Sequence, residues 1–294
     1  VTEVSETQTY EATGPVLVKA ELLAGSVHVV VRDRSTVTVG VHPSEPGDEV
    51  DVAAAKRLRV EFGRNTLSIR LPMLTMMSRS ALSSHRVGSV DVTVEVPTGS
   101  ELRASARSAR LRVDGRLSDC RFETMDGDIE IEEAGPLRLV TASGDVTVGR
   151  ATGRTRIASG SGTTVIGDIA GNAHIGQDYG DVRIGTVDGR LRITGVRGDL
   201  TVDRLVGVLE AKVLDGRTVV GEVVSGSVTM MATWAHLEVG IRAGTAARLD
   251  LRSVTGRIRN LLHGVPGPET TDQIAEITAH TYYGDVVIRR APEV

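Results

Sequence analysis

The chain has 294 residues, a formal net charge of −4, 40% hydrophobic and 24% charged residues, as an ordinary globular protein does. No apolar run reaches the roughly 18 residues of a membrane-spanning helix, and the single cysteine, Cys120, excludes an intramolecular disulfide and a four-Cys zinc site. With 33 Gly against 2 Phe, 1 Trp and 4 Tyr, the interior has to be built from Val, Ile, Leu and Ala, without the ring area that usually contributes much of core burial.

The slight acidity speaks against a whole-protein electrostatic grip on nucleic acid, so no specific nucleic-acid binding is expected. No basic-then-apolar start resembles a signal peptide, while the chain begins at Val1 and leaves the native start open. The expected location is cytoplasmic or membrane-associated.

In chain order, residues 1–110 read as an N-terminal β-rich start and cap. Alternating apolar residues predict strands at Val27–Val31, Val37–Val41, Leu58–Phe62, Leu67–Leu71 and Val90–Val96. The segments 42–52 and 72–88 read as loops, and the Ala-rich stretch Val52–Arg57 as a short helix. Met73, Met76 and Met77 make the second loop a candidate contact loop, because methionine side chains adapt to irregular surfaces.

Residues 111–261 carry a regular repeat. Glycine falls at 135, 144, 153, 162, 171, 180, 189, 198, 207 and 216, ten positions at a spacing of nine. Each glycine opens the pattern Gly-x-apolar-x-apolar, as in Gly144-Asp-Val-Thr-Val148 and Gly189-Arg-Leu-Arg-Ile193. Period-two alternation marks a short strand with one buried face, and the glycine marks a corner that a side chain would obstruct. The third and fifth positions are predicted to point inward. So is the eighth, at Ile169, Val187, Val196, Leu205 and Leu214.

Gly-Asp recurs at Gly144, Gly180 and Gly198, while the interleaved corners differ. Two nine-residue halves per coil explain this weaker period of eighteen. The expected fold is therefore all-β: a flattened parallel β-solenoid, or β-helix, of about 18 residues per coil with β-rich end caps. A thin interior between sheets about 10 Å apart accepts aliphatic side chains and leaves little room for rings. Less regular units continue downstream, including Ala247-Arg-Leu-Asp-Leu251, Gly256-Arg-Ile258 and Gly284-Asp-Val-Val-Ile288. Residues 262–294 read as a loop and closing strands, and the three regions as one continuous domain.

Several segments together resemble a known bacterial family. They are Gly25-Ser-Val-His-Val29, the Gly-Asp-Val and Gly-Asp-Ile corners, the stretch from Gly240 to Leu251, and Tyr283-Gly-Asp-Val-Val-Ile-Arg-Arg290. The family is the "putative adhesin" or toast-rack family of unknown function, with the actinobacterial branch as the best likeness. The resemblance implies a β-solenoid-like fold and a role in envelope-stress or surface-associated assemblies. It implies no catalytic residues.

The residues themselves suggest little catalytic chemistry. Calcium-binding β-rolls need Gly-Gly-x-Gly-x-Asp, a run that no unit here carries. Asp126, Asp128, Glu130 and Glu132 alternate along one strand, which reads as a solvated acidic face or a cation site. The seven histidines lack ligand spacing, and Cys120 alternates with Phe122 as a buried thiol would. No catalytic residue, cofactor or metal is therefore assigned. Polysaccharide-acting β-helix enzymes remain an alternative, although their coils are longer and usually three-sided.

The informative pattern is arginine. Positions 138, 156, 174 and 192 hold Arg, Arg, His and Arg, while 154 and 190 also hold Arg. In an 18-residue coil, Arg138, Arg154, Arg156, His174, Arg190 and Arg192 would stack on one face, with Asp145, Asp181 and Asp199 opposite. Such a stripe is a candidate face for a protein, an anionic polymer or a membrane surface. The expected function is a non-enzymatic scaffold or binding module. The alternative is a structural protein that self-assembles through its solenoid ends, whose strand edges are templates for pairing.

Overall fold

The computed structural model describes residues 6–71, 87–262 and 273–292. The loop carrying Met73, Met76 and Met77 lies outside the described residues. Two compact units divide the chain, Val1–Gly144 and Asp145–Val294. No helix among the described residues is long and apolar enough to cross a membrane.

In the first unit the strands are β1 (Glu6–Glu11), β2 (Leu17–Arg32), β3 (Thr36–Pro43), β4 (Arg59–Gly63), β5 (Thr66–Arg70) and β6 (Ser89–Pro97). They continue with β7 (Glu101–Leu117), β8 (Asp119–Asp126), β9 (Ile129–Ala134) and β10 (Leu137–Ser143). Helix α1 spans Glu49–Arg57, three residues earlier than the Ala-rich stretch alone suggests. It starts there because Asp48 accepts a hydrogen bond from Val50 N at 2.8 Å, an N-cap.

Strand β2 is threaded into the interior of the stack. It pairs in parallel with β5 and β6 on one edge and with β7 on the other, so Val27 lies between Val92 and Leu111. Antiparallel pairings then close this unit: β3 on β6, β1 on β3, and β4 on β5. From β7 into β8 and the start of β9 the coils stack with a register of eighteen, as in Leu111↔Ile129 and Leu102↔Cys120, and the offset is seventeen between β8 and β10. Phe122 is fully buried, the exception to an aliphatic interior. Its ring is accommodated because its neighbour in β7 is the small Ala104.

The second unit contains β11 (Val146–Ala151), β12 (Thr155–Ser161), β13 (Thr164–Tyr179), β14 (Val182–Arg197) and β15 (Leu200–Ile241). After these come β16 (Thr245–Thr255), β17 (Ile258–Asn260), β18 (Gln273–Tyr283) and β19 (Val286–Arg290). The stack is a parallel β-solenoid of 18-residue coils, in which Ile166, Ile184 and Val202 are successive register partners. All ten third positions and all ten fifth positions of the repeat are buried.

The corners explain the glycines. Gly189 has φ +137°, and a Cβ there would sit 2.2 Å from the carbonyl oxygen of Gly171 one coil away. A further column escapes the nine-residue reading. Gly167 and Gly185 lack positive φ, yet a Cβ on either would lie 2.4 or 2.5 Å from the backbone oxygen of the preceding coil. The column is spaced by eighteen because only one half of each coil bends at this point, between Ile166 and Ile169 and between Ile184 and Val187.

One inward expectation fails. Leu214 is exposed and Val213 is buried in its place. The register shifts between Thr194 and Arg197, so that Val196 pairs with Val213 instead of Leu214. Gly195, with φ +93°, takes up this bulge.

The last coils are out of chain order. Strand β18 lies between β15 and β16, with Ala275 paired to Gly226 on one side and Ala247 on the other. Strand β19 likewise separates β15 from β17. Consequently Leu249 and Leu251 are only half-buried and Ile258 is exposed, because their strands are the outermost of this unit.

Candidate partner-binding face

The Gly-Asp corners are structural before they are electrostatic. Asp145 accepts a hydrogen bond from Thr163 N at 2.7 Å, Asp181 from Asp199 N at 2.9 Å, and Asp199 from Arg217 N at 2.9 Å. Each carboxylate caps a backbone N–H eighteen residues on, at a corner where the ladder is interrupted. At the last such corner, Asp285 accepts from Arg257 N at 2.8 Å. That bond and the Arg259 guanidinium hold its carboxyl below the usual Asp range.

The acidic strand β9 is matched by its neighbour β7. Glu130 pairs with Arg112 at 3.3 Å and Glu133 with Arg116 at 3.3 Å, while Glu132 accepts from Gly115 N at 2.7 Å. Ile129 and Ile131 are buried on the other face. Among the described residues, no group of three or more His, Cys, Asp or Glu is placed to hold a metal ion. Cys120 is wholly buried, and burial pushes its thiol far above the ordinary cysteine range. It cannot supply a thiolate nucleophile near neutral pH.

Cationic columns run up both units, and they differ. In the first unit, Lys19, Arg103, Arg121 and Arg138 are direct register partners on β2, β7, β8 and β10. Carboxylates flank this column. Arg103 meets Glu101 at 3.4 Å, Arg121 meets Asp119 at 3.3 Å, and Arg138 meets Glu123 at 3.2 Å. Arg138, a predicted member of the basic face, is thus compensated within its own unit.

In the second unit, Arg156, His174 and Arg192 are register partners on β12, β13 and β14, all exposed. Two residues before them stand Arg154, Asn172 and Arg190, and two residues after them Ala158, Gly176 and Thr194. None of these nine positions is a carboxylate. Of these positions Arg190 forms a salt bridge, with Glu210 at 2.8 Å, and Glu210 is also the register partner of Arg192 on β15. His174 lies 3.5 Å from the Thr194 hydroxyl. Among the described residues, Arg154, Arg156 and Arg192 have no carboxylate within salt-bridge distance. Arg156 and Arg192 stand on alternate strands, about 9.6 Å apart, with His174 between them.

The face continues into a shallow recess of about 300 Å³ lined by Arg190, Glu210, Lys212, Thr229 and Met231. The eighteen-residue spacing reveals the second-unit column. The first-unit column escapes it, because Lys19 precedes Arg103 by a long excursion and Arg138 follows Arg121 by seventeen residues. A separate recess of about 500 Å³ in the first unit is also absent from the sequence reading. Its carboxylates are engaged, Asp91 by Ser26 at 2.6 Å and Asp126 by Ser108 at 3.3 Å.

Eighteen-residue parallel coils with glycine corners, a largely aliphatic interior and charged outer ladders define a β-solenoid protein. The Toastrack DUF4097 profile matches residues 21–232, and the chain belongs to that family. No curated protein matches the sequence. The chain is similar over 98% of its length to 98% of a "putative adhesin" from Bacteroides fragilis, at 11% identity and TM-score 0.38. A "putative lipid binding protein" from Parabacteroides distasonis is 13% identical, with 98% and 97% covered and TM-score 0.34. For a "putative adhesin" from Parabacteroides merdae the values are 11%, 95%, 96% and 0.37.

Proposed function

We propose that this Toastrack protein is a non-enzymatic binding module whose second unit holds an anionic polymer or surface against Arg154, Arg156, His174 and Arg192. The supporting observation is the contrast between the two cationic columns: carboxylates flank the first, whereas the second has none at its centre. Guanidinium groups without a salt-bridge partner on rigid strands gain from a multivalent anion, because each phosphate or carboxylate accepts directed, charge-assisted N–H bonds. A role in surface-associated or envelope-stress assemblies fits such a face.

The test is binding of long-chain polyphosphate, and of vesicles with and without anionic lipid, as a function of salt. The reading expects salt-sensitive binding that the double reversal Arg156→Glu/Arg192→Glu weakens at least tenfold. Binding unchanged by that reversal, with the variant still folded, sinks it.

A further inference from the structure

The two units treat their outer strands differently. In the first unit, antiparallel β3 lies on the outer edge of β6, with β1 on β3 in turn. In the second unit the outermost strand, β16, pairs with β18 on one edge. Among the described residues nothing pairs with its other edge. Strand β16 is 11 residues long, with no proline and no bulge in its pairing with β18. Such an edge is a template for another strand. Its inward side chains Leu249 and Leu251 are half-buried, and Val254, Ile258 and Leu261 nearby are 66%, 46% and 58% exposed.

Charge order indicates what completes this edge. The strand reads Arg248-Leu-Asp-Leu-Arg252, with Arg248, Asp250 and Arg252 on its exposed face. Antiparallel pairing of two copies about a two-fold axis at Leu249 sets Arg248 opposite Asp250 of the second copy, twice. The same register sets Leu249 against its own symmetry mate and Ala247 against Leu251 on the inner face. A two-fold axis at Asp250 would instead oppose Arg248 to Arg252 and Asp250 to itself. Charge matching therefore selects an axis at a leucine, and of the two the axis at Leu249 opposes Leu251 to Ala247, whereas an axis at Leu251 opposes Leu249 to Ser253.

We infer that the β16 edge is a homodimer interface, with two copies of this chain paired antiparallel about Leu249. The present pairs of the two arginines are exposed, while Asp250 also meets the half-buried His280 at 3.2 Å. Arg248 meets Glu276 at 3.4 Å with its own side chain 84% exposed, and Arg252 meets Asp250 at 3.3 Å. Exposed pairs of this kind hold little free energy, so they yield readily to a partner strand. Two copies joined in this way form an isologous assembly that closes at the dimer.

The experiment is sedimentation velocity across a range of concentrations. Wild type is expected to pass from monomer to dimer. Arg248→Asp is expected to raise the dissociation constant at least tenfold, because it sets a second carboxylate against Asp250 of the other copy. The exchange Arg248→Asp/Asp250→Arg is expected to restore the dimer, because opposite charges face each other again. Thermal unfolding of each variant checks that it is folded. A monomer at every concentration, a dimer indifferent to Arg248→Asp, or a weakened dimer that the exchange does not restore would overturn the inference.

Discussion

At the scale of the residue, the glycines separate into positions that need their missing side chain and positions that do not. Gly189 combines φ +137° with a backbone oxygen 2.2 Å from any Cβ, whereas at Gly176 the nearest atoms are 3.9 Å away and φ is not positive. Strained backbone at a non-glycine residue costs about 1–3 kcal/mol, and relieving the contact requires the coils to shift. Gly189→Ala is therefore expected to lower stability by at least about 2 kcal/mol. Gly176→Ala is expected to be neutral or to stabilise by up to about 1 kcal/mol, as alanine is favoured over glycine within a strand. Urea unfolding of the two variants measures the difference.

Glu238 shows the same locality in its charge. It accepts from Arg289 Nε at 2.7 Å and also bonds Arg217. Those two guanidinium groups, Arg289 first, hold its carboxyl below the ordinary Glu value. A depressed folded pKa contributes stability that is present above the unfolded pKa of about 4.3 and is lost as pH falls through the folded value. The melting temperature of wild type should exceed that of Glu238→Gln by its largest margin above about pH 5. The margin should shrink as the pH is lowered toward about 3, as read by thermal unfolding at a series of pH values.

At the scale of the element, periodicity determined what was legible. Leu191 and Ile193, like every other third and fifth position of the repeat, point inward because alternation and an eighteen-residue register enforce each other. Leu214 broke the expectation because the bulge at Gly195 removes one residue from the pairing, an event that no side-chain pattern near Leu214 announces. Val213→Ala should cost about 1–3 kcal/mol, while Leu214→Ala should stay within about 0.5 kcal/mol of wild type. Equal losses on chemical unfolding would contradict the observed register.

Connections between distant segments were less legible still. Strand β2 meets β7 across a separation of 84 residues, as in Lys19↔Arg103. Strand β18 enters between β15 and β16 out of chain order. Hydrophobic alternation identifies such strands but is silent about their neighbours, because any inward-facing aliphatic strand satisfies the same interior. The basic column of the second unit was legible for the opposite reason: its members belong to consecutive coils.

At the scale of the whole molecule, the scarcity of rings and the place of function are connected. Among the described residues Phe122 is the fully buried ring, while Tyr179, Trp234, Tyr282 and Tyr283 are exposed. Among the described residues the interior of each unit is packed mainly with aliphatic side chains. What remains for recognition is the outside: strand faces, recesses and edges. On those surfaces many charges are answered by a neighbour, and the functional account rests on the clustering of Arg154, Arg156 and Arg192, which have no salt bridge among the described residues, on one face.

The most direct measurement compares matched reversals in the two columns. Polyphosphate affinity would be measured at low and physiological salt for wild type, for Arg156→Glu/Arg192→Glu, and for Arg103→Glu/Arg121→Glu. Each variant changes the net charge by the same amount, so a general charge effect moves both alike. The account predicts at least a tenfold loss and a shallower salt dependence for the reversal in the second unit. It predicts a much smaller loss for the reversal in the first, whose arginines already have carboxylate partners. Equal losses, or no binding by wild type at low salt, would contradict it.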